Sequence, residues 1–329
     1  MDPRFGSARA RLASGLTCIQ AKANRLFHNP WFRRVLAGSV VVFSFAVMGY
    51  LVYQNWPQLR EYRYHLREHY PLIILSFLLY PTGFVPTVIG WHKIMKYVGG
   101  VSVFKINARI YCYTCLARRI PGGVWHIAGR AYLNKEQGVR HSLSVLGSAL
   151  EWTLMVMSGL FVYLLTTLLP VSGNRADGGL SPGVAFALLL PLIILLSPPV
   201  INRTLRFVLK KWHGQVYQDM SPADVLGLMS VYLLAWIAGG MLLYILIRAL
   251  YPLAVTMLPA VIGAWAGASA MGLIAAYLIQ GLGVREVTLA VMLSAFMPLP
   301  VGIITSILFR LLLTAGEIVW PLVWARFLR

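Results

Sequence analysis

Apolar residues run along this chain in long blocks, separated by short stretches rich in Lys, Arg, Gly and Pro. Crossing a hydrocarbon core of ~30 Å takes roughly 20 such residues in a helix. Blocks of about that length fall at 35–53, 71–91, 143–169, 183–200, 225–247, 255–279 and 300–325. The pattern predicts an all-α integral membrane protein, a polytopic helical bundle of about six to eight spans.

The rhythm breaks twice. Between 106 and 134, two half-length apolar pieces, Ile106 to Leu116 and Val124 to Leu133, flank Arg118, Arg119, Ile120, Pro121, Gly122 and Gly123. With Lys105 and Lys135 on one side of the membrane, the simplest path is a re-entrant hairpin tipped by Pro121, Gly122 and Gly123. Irregular backbone at membrane depth must line protein or water, so the tip is expected to line a pocket. A second interrupted region runs from Pro259 to Pro300. It contains Gln280, Gly281, Leu282, Gly283, Val284, Arg285 and Glu286, then a short apolar piece ended by Met297, Pro298, Leu299 and Pro300. Each half therefore reads as two spans, one broken element and one further span. That odd number of crossings predicts two inverted repeats, at about 35–169 and 183–325, each with a broken or re-entrant element.

Composition agrees with lipid as the solvent: 58% of residues are hydrophobic, only 12% are charged, and mean hydropathy is +0.70. The formal net charge of +19, from 29 Lys and Arg against 10 Asp and Glu, would also suit nucleic acid. Its distribution decides otherwise. Seven Lys and Arg lie in 1–34, nine in 92–142 and four in 201–224, while 54–70 and 170–182 carry three and one. By the positive-inside rule the richer set is cytoplasmic, as are both termini, and the basic collar faces an anionic inner leaflet with no nucleic-acid partner. The chain then divides into a basic cytoplasmic segment, 1–34, and a single membrane domain, 35–329, in the cytoplasmic membrane. Val35 to Tyr53 is followed by no small-x-small cleavage site, so a retained first span is expected.

Cys18, Cys112 and Cys115 are too few for a disulfide framework. Cys112 and Cys115 have a metal-like spacing but no second pair, and are expected to be small helix-packing residues. No phosphate-cradling loop, His-Glu-x-x-His or Gly-x-Ser-x-Gly occurs, so neither a cofactor nor nucleotide hydrolysis within the chain is expected.

Two motifs resemble a known family. The stretch Arg118-Arg-Ile-Pro-Gly-Gly-Val-Trp-His-Ile-Ala-Gly-Arg130-Ala-Tyr-Leu133 and the stretch Gly281-Leu-Gly-Val-Arg-Glu286 are similar to the signatures of the flippase-like lysylphosphatidylglycerol synthase transmembrane-region family. The resemblance covers about 35–325; Ile279 and Gln280 stand where that family has Pro and Gly. It implies a membrane part that moves an aminoacylated phospholipid across the bilayer, here without the soluble synthase domain.

The residues themselves suggest how an anionic headgroup could be held. Arg118 and Arg119 precede the Pro-Gly-Gly break, where a guanidinium fork suits a lipid phosphate. Arg130 follows His126 by one helical turn, and Trp125 and His126 read foremost as interfacial belt residues. Glu151, in the middle of an apolar run, needs an arginine partner from another element, because an isolated buried carboxylate is costly. Arg285 and Glu286, being adjacent, are expected to face different partners. Arg310 and Glu317, seven residues apart, share a face of the last span expected to be interior.

The leading expectation is a lipid translocase, in which Arg118, Arg119, Arg130, Arg285 and Arg310 line one polar groove for a phospholipid or lipid-linked substrate. An enzyme acting on lipid headgroups, with Glu151 or Glu286 as base and His126 as acid, is the alternative. A scaffold for a partner synthase or glycosyltransferase, using the basic loops 92–105 and 201–224, is the other; self-association is compatible with each. The charge distribution makes a testable statement about orientation. In a background lacking the native cysteines, Cys introduced at Gly178 should react with an impermeant thiol reagent added to intact cells, and Cys at Gly214 should not. Labelling of both, or the reverse pattern, contradicts the assigned orientation.

Overall fold

The computed structural model describes Tyr50, Tyr53 and residues 68–117, 125–169, 181–211, 219–279 and 283–328. The basic segment 1–34, most of the predicted span 35–53, the tip from Arg118 to Gly123, the loop at 170–180 and Gly281 lie outside the described residues.

Every regular element among the described residues is helical. In chain order these are α1 (Tyr70–Leu78), α2 (Pro81–Gly99), α3 (Phe104–Leu116), α4 (Trp125–Lys135), α5 (His141–Leu168), α6 (Pro182–Leu195), α7 (Pro198–Lys211), α8 (Pro222–Arg248), a 3-10 turn (Val255–Met257), α9 (Leu258–Ile279), α10 (Val284–Leu293) and α11 (Leu299–Phe327). Among the described residues, five stretches are long and apolar enough to cross a membrane: Tyr70–Gly99, His141–Leu168, Pro222–Arg248, Val255–Ala275 and Leu299–Phe327. Counted as one broken span, the bent pair of α6 and α7 brings the number to six. The architecture is that of a multi-pass α-helical membrane protein.

Local chemistry sets the boundaries. Ser221 caps α8 by accepting from the Asp224 N–H, Asp224 answers by accepting from the Ser221 N–H, and Pro222 occupies the first helical position. Gly100, at φ 70, ends α2 in the left-handed conformation that spares glycine a Cβ clash. That helix runs through His92, Lys93 and Lys96, so much of the expected basic loop 92–105 is its last two turns.

Two further expectations are corrected. The block 183–200 is not one straight span, because Ser197, Pro198 and Pro199 interrupt it and α7 leaves α6 at 53°. Residues 201–211, expected as loop, are helical and amphipathic: Ile201 and Leu205 are buried, whereas Arg203, Arg206, Phe207 and Lys210 are exposed. The second interrupted region keeps the full-length block read from the sequence at 255–279. Its first part, α9, has 22 residues and is itself long enough to cross, and the break lies between it and the 10-residue α10. At the first break both arms are short, 13 residues in α3 and 11 in α4, and they pack against each other.

Helices α5 and α8 are the hubs. Helix α5 packs on α2, α4, α6, α8 and α9; α8 packs on α1, α2, α5, α9 and α11. Helix α10 packs between α9 and α11, and α3 between α2 and α11. Without a hydrophobic driving force between helices in lipid, close backbone approach does the work. A Cβ on Gly240 of α8 would lie 2.6 Å from the Cα of Ile262 on α9, so only glycine allows that contact.

Candidate functional site

Two clusters of charge lie inside the bundle, each where a short helix meets the span that follows it. In the first, α4 presents His126, Arg130 and Asn134 on one face at four-residue spacing, and all three are buried. The facing side of α5 carries Ser144, Ser148 and Glu151, also buried, at spacings of four and three. The Arg130 guanidinium is 0% exposed and forms an ion pair through Nη1 with Glu151 Oε2, itself 1% exposed. Its flat faces are occupied too, with Cζ 4.1 Å from the Trp91 ring centroid and 4.5 Å from that of Tyr111. Nε donates to Thr114 Oγ1 at 3.4 Å, and Thr114 donates in turn to the Ile110 carbonyl at 2.8 Å. One turn along, Asn134 Nδ2 donates to Ser144 Oγ at 2.8 Å.

This arrangement offsets a large cost. Removing a charge from water costs several kcal/mol even after relaxation, and only good geometry with further contacts recovers it. Here a carboxylate, a hydroxyl and two aromatic faces surround one guanidinium, and a desolvated cation–π contact contributes about 2 kcal/mol. The arginine partner expected for Glu151 is therefore Arg130, from the second arm of the first broken element. Among the described residues, the Arg130 Nη2 and Trp91 Nε1 donors are buried without an acceptor.

In the second cluster the polarity is reversed. The chain enters α10 through Gly283 at φ 92, a conformation L side chains rarely adopt. Glu286, in the first turn of α10, accepts from the Gly283 N–H at 3.1 Å through Oε2. Its Oε1 accepts from Arg285 Nε at 3.1 Å and Nη2 at 2.9 Å, and pairs with Arg310 Nη1 from α11. The Arg285 guanidinium also lies 5.5 Å from the Trp265 ring on α9, where Gly272 leaves the room its Cβ needs. Glu317, half-buried on α11, acts electrostatically on Arg285.

The pairing of Arg285 with its neighbour Glu286 corrects the expectation that adjacency forbids a bridge. Glu286 folds back to the helix start to reach the Gly283 amide, which turns its other oxygen toward the long Arg285 side chain. Arg310 and Glu317 lie on the interior side of α11 as expected, at intermediate burial.

Between the clusters stands an aromatic layer. Trp236 donates through Nε1 to Ser158 Oγ at 3.0 Å, and its ring lies 6.2 Å from that of Trp265, which meets Phe309 edge-on at 5.0 Å. Ser158 is about 10 Å along α5 from Glu151 at 1.5 Å per residue. Arg130 belongs to one cluster of contacts, and Arg285 and Arg310 belong to the other. Trp125 is exposed as a belt residue would be, but His126 is not one; it is buried with its ring 5.7 Å from that of Trp152. It shares the Arg130 face, which faces α5. Arg118, Arg119, Pro121, Gly122, Gly123 and Gly281 lie outside the described residues. Cys112 and Cys115 are buried free thiols in α3, and no three His, Cys, Asp or Glu among the described residues could share a metal.

Sequence reasoning missed Asn134, Ser144 and Ser148. The available signal was a polar stripe at helical spacing leading to Glu151 within an otherwise apolar run. A scan against protein-family models and a search of curated proteins return no match.

The geometry around Arg130 predicts strong coupling to Glu151. Arg130→Met and Glu151→Met should each destabilise the protein by about 3–5 kcal/mol, because either leaves an uncompensated buried charge. The double substitution should cost far less than their sum. Denaturation of the reconstituted protein measures all three, and additive costs would show that the two residues do not act as a pair.

Proposed function

We propose that this protein is a lipid translocase of the lysylphosphatidylglycerol synthase transmembrane-region type, passing a lipid with an anionic or phosphate-containing headgroup across the cytoplasmic membrane. The observation that carries this reading is the presence of two buried arginine–carboxylate clusters, one in each half of the chain. Ionisable groups inside a membrane bundle are costly, and they mark the route of a polar substrate by default.

The packing of the helices supports the inverted-repeat arrangement that such a route needs. Exchanging α2, α3, α4 and α5 for α8, α9, α10 and α11 maps the contacts of one half onto the other. The pairs α3–α4, α4–α5, α2–α3 and α2–α5 become α9–α10, α10–α11, α8–α9 and α8–α11. The contact of α5 with α9 becomes that of α11 with α3, and the contact of α2 with α8 maps onto itself. Under this exchange the ion pair of Arg130 on α4 with Glu151 on α5 corresponds to that of Glu286 on α10 with Arg310 on α11, with the charges swapped.

In the mechanism we envisage, each cluster is a station. The headgroup phosphate exchanges with the carboxylate for the guanidinium fork, so the arginine is never left without an anion. At the first station Arg130 Nη2 and Trp91 Nε1 are donors a phosphate oxygen could use. Arg118 and Arg119 would receive the headgroup at the mouth of the first break, while the acyl tails stay in lipid. Nothing in the chain resembles a nucleotide site, so movement would be downhill or ion-coupled.

Vesicles carrying a fluorescent anionic lipid test this reading. Protein-containing vesicles should expose the inner-leaflet lipid to an external quencher faster than vesicles whose protein carries Arg119→Ala or Arg285→Ala. Arg119→Lys should already be slow, since an ammonium keeps the charge and loses the bidentate geometry. Equal rates for all the folded proteins, or no rate above protein-free vesicles, would contradict the proposal and favour a scaffold.

A further inference from the structure

A cavity of about 380 Å³ opens between α3 and the last turns of α11, lined by Tyr113, Leu322, Val323, Ala325 and Arg326. The two helices run in opposite directions here. Arg109 donates through Nη2 to the Leu328 carbonyl at 2.6 Å, which fixes the end of α11 against α3. Lys105, Arg109 and Tyr113 follow one another at four-residue spacing, so they form a stripe along one side of α3.

The cavity is consequently graded. At the end of α11, Arg326 supplies positive charge; nearer the middle of α11, Leu322 and Val323 supply an apolar wall, with Ala325 as a buried floor. Tyr113 stands at the boundary, 41% exposed, with an apolar ring and a polar tip. No hydrogen bond or ion pair with the described residues holds the Arg326 guanidinium. Basic at one end and apolar at the other, with an aromatic residue between, the cavity matches the chemical profile of an anionic phospholipid lying along a helix. Its volume falls in the range of small-ligand sites.

We infer that this cavity binds one anionic phospholipid, with the phosphate on Arg326 and the base of an acyl chain against Leu322 and Val323. This site is separate from the proposed transport route, and it requires only that the chain be embedded in a membrane. The proposed transport route would hold anionic lipid as well, so the test reads only the bound lipid that depends on Arg326, and loss of transport alone leaves it unchanged.

The test uses the whole protein, delipidated in mild detergent and titrated with phosphatidylglycerol or phosphatidylcholine, with bound lipid counted by native mass spectrometry. One phosphatidylglycerol per chain should be held about tenfold more tightly than phosphatidylcholine, the scale of one charge-assisted contact. Millimolar inorganic phosphate should leave it in place. Arg326→Gln should lower the retained phosphatidylglycerol by one per chain by removing the charge, and Leu322→Trp should do the same by filling the cavity, with elution and melting temperature unchanged. Should Leu322→Trp fold poorly, the exposed Arg326→Gln decides alone. Equal retention of the two lipids, full retention by Arg326→Gln, or displacement by inorganic phosphate would each overturn the assignment.

Discussion

A guanidinium carried into the interior of a membrane bundle has to meet an anion there, and in this chain that requirement organises the most irregular parts of the fold. The two short helices that follow breaks, α4 and α10, have too few residues to cross a membrane alone. Each is joined to the long helix after it by an ion pair, Arg130 to Glu151 fully buried and Glu286 to Arg310 partly so. Removing either partner strands the other in a medium that cannot solvate it, so these contacts fix position more strictly than any apolar contact on the same helices.

The surroundings of each pair fit that demand. Trp91 and Tyr111 cover the two faces of Arg130, while Trp265 lies near Arg285. Trp265 also contacts Trp236 and Phe309, and Trp236 is tied to Ser158 on α5. The helix that carries Glu151 is thus connected through packed aromatic rings to the one that carries Arg310. The two ion pairs are thereby linked by a contiguous chain of packed side chains. The reversed polarity means that the arginine paired between helices belongs to the short helix in one cluster and to the long span in the other.

Much of this was legible in the chain. The long apolar blocks locate α5, α8, α9 and α11 to within a few residues, because crossing hydrocarbon constrains length and composition together. The need of Glu151 for an arginine from a broken element followed from the cost of a lone buried carboxylate, and Arg130 meets it. Other features depend on geometry that one-dimensional spacing does not carry. The bend at Pro198 turns a uniform-looking run into two 14-residue helices at 53°, the second of them amphipathic. The return of Glu286 to the Gly283 amide brings Arg285 within reach of its own neighbour. Asn134, Ser144 and Ser148 matter only because α4 lies against α5, a pairing set by tertiary contacts.

The central claim is that each ion pair holds its own short helix onto the span that follows. Hydrogen–deuterium exchange of the reconstituted protein, compared between wild type and Glu151→Gln, addresses it directly. The amides of Trp125–Lys135 should exchange faster in the variant, while those of Val284–Leu293, held by the intact Glu286–Arg310 pair, should be unchanged. Unaltered protection across Trp125–Lys135, or an equal loss over both helices, would contradict it.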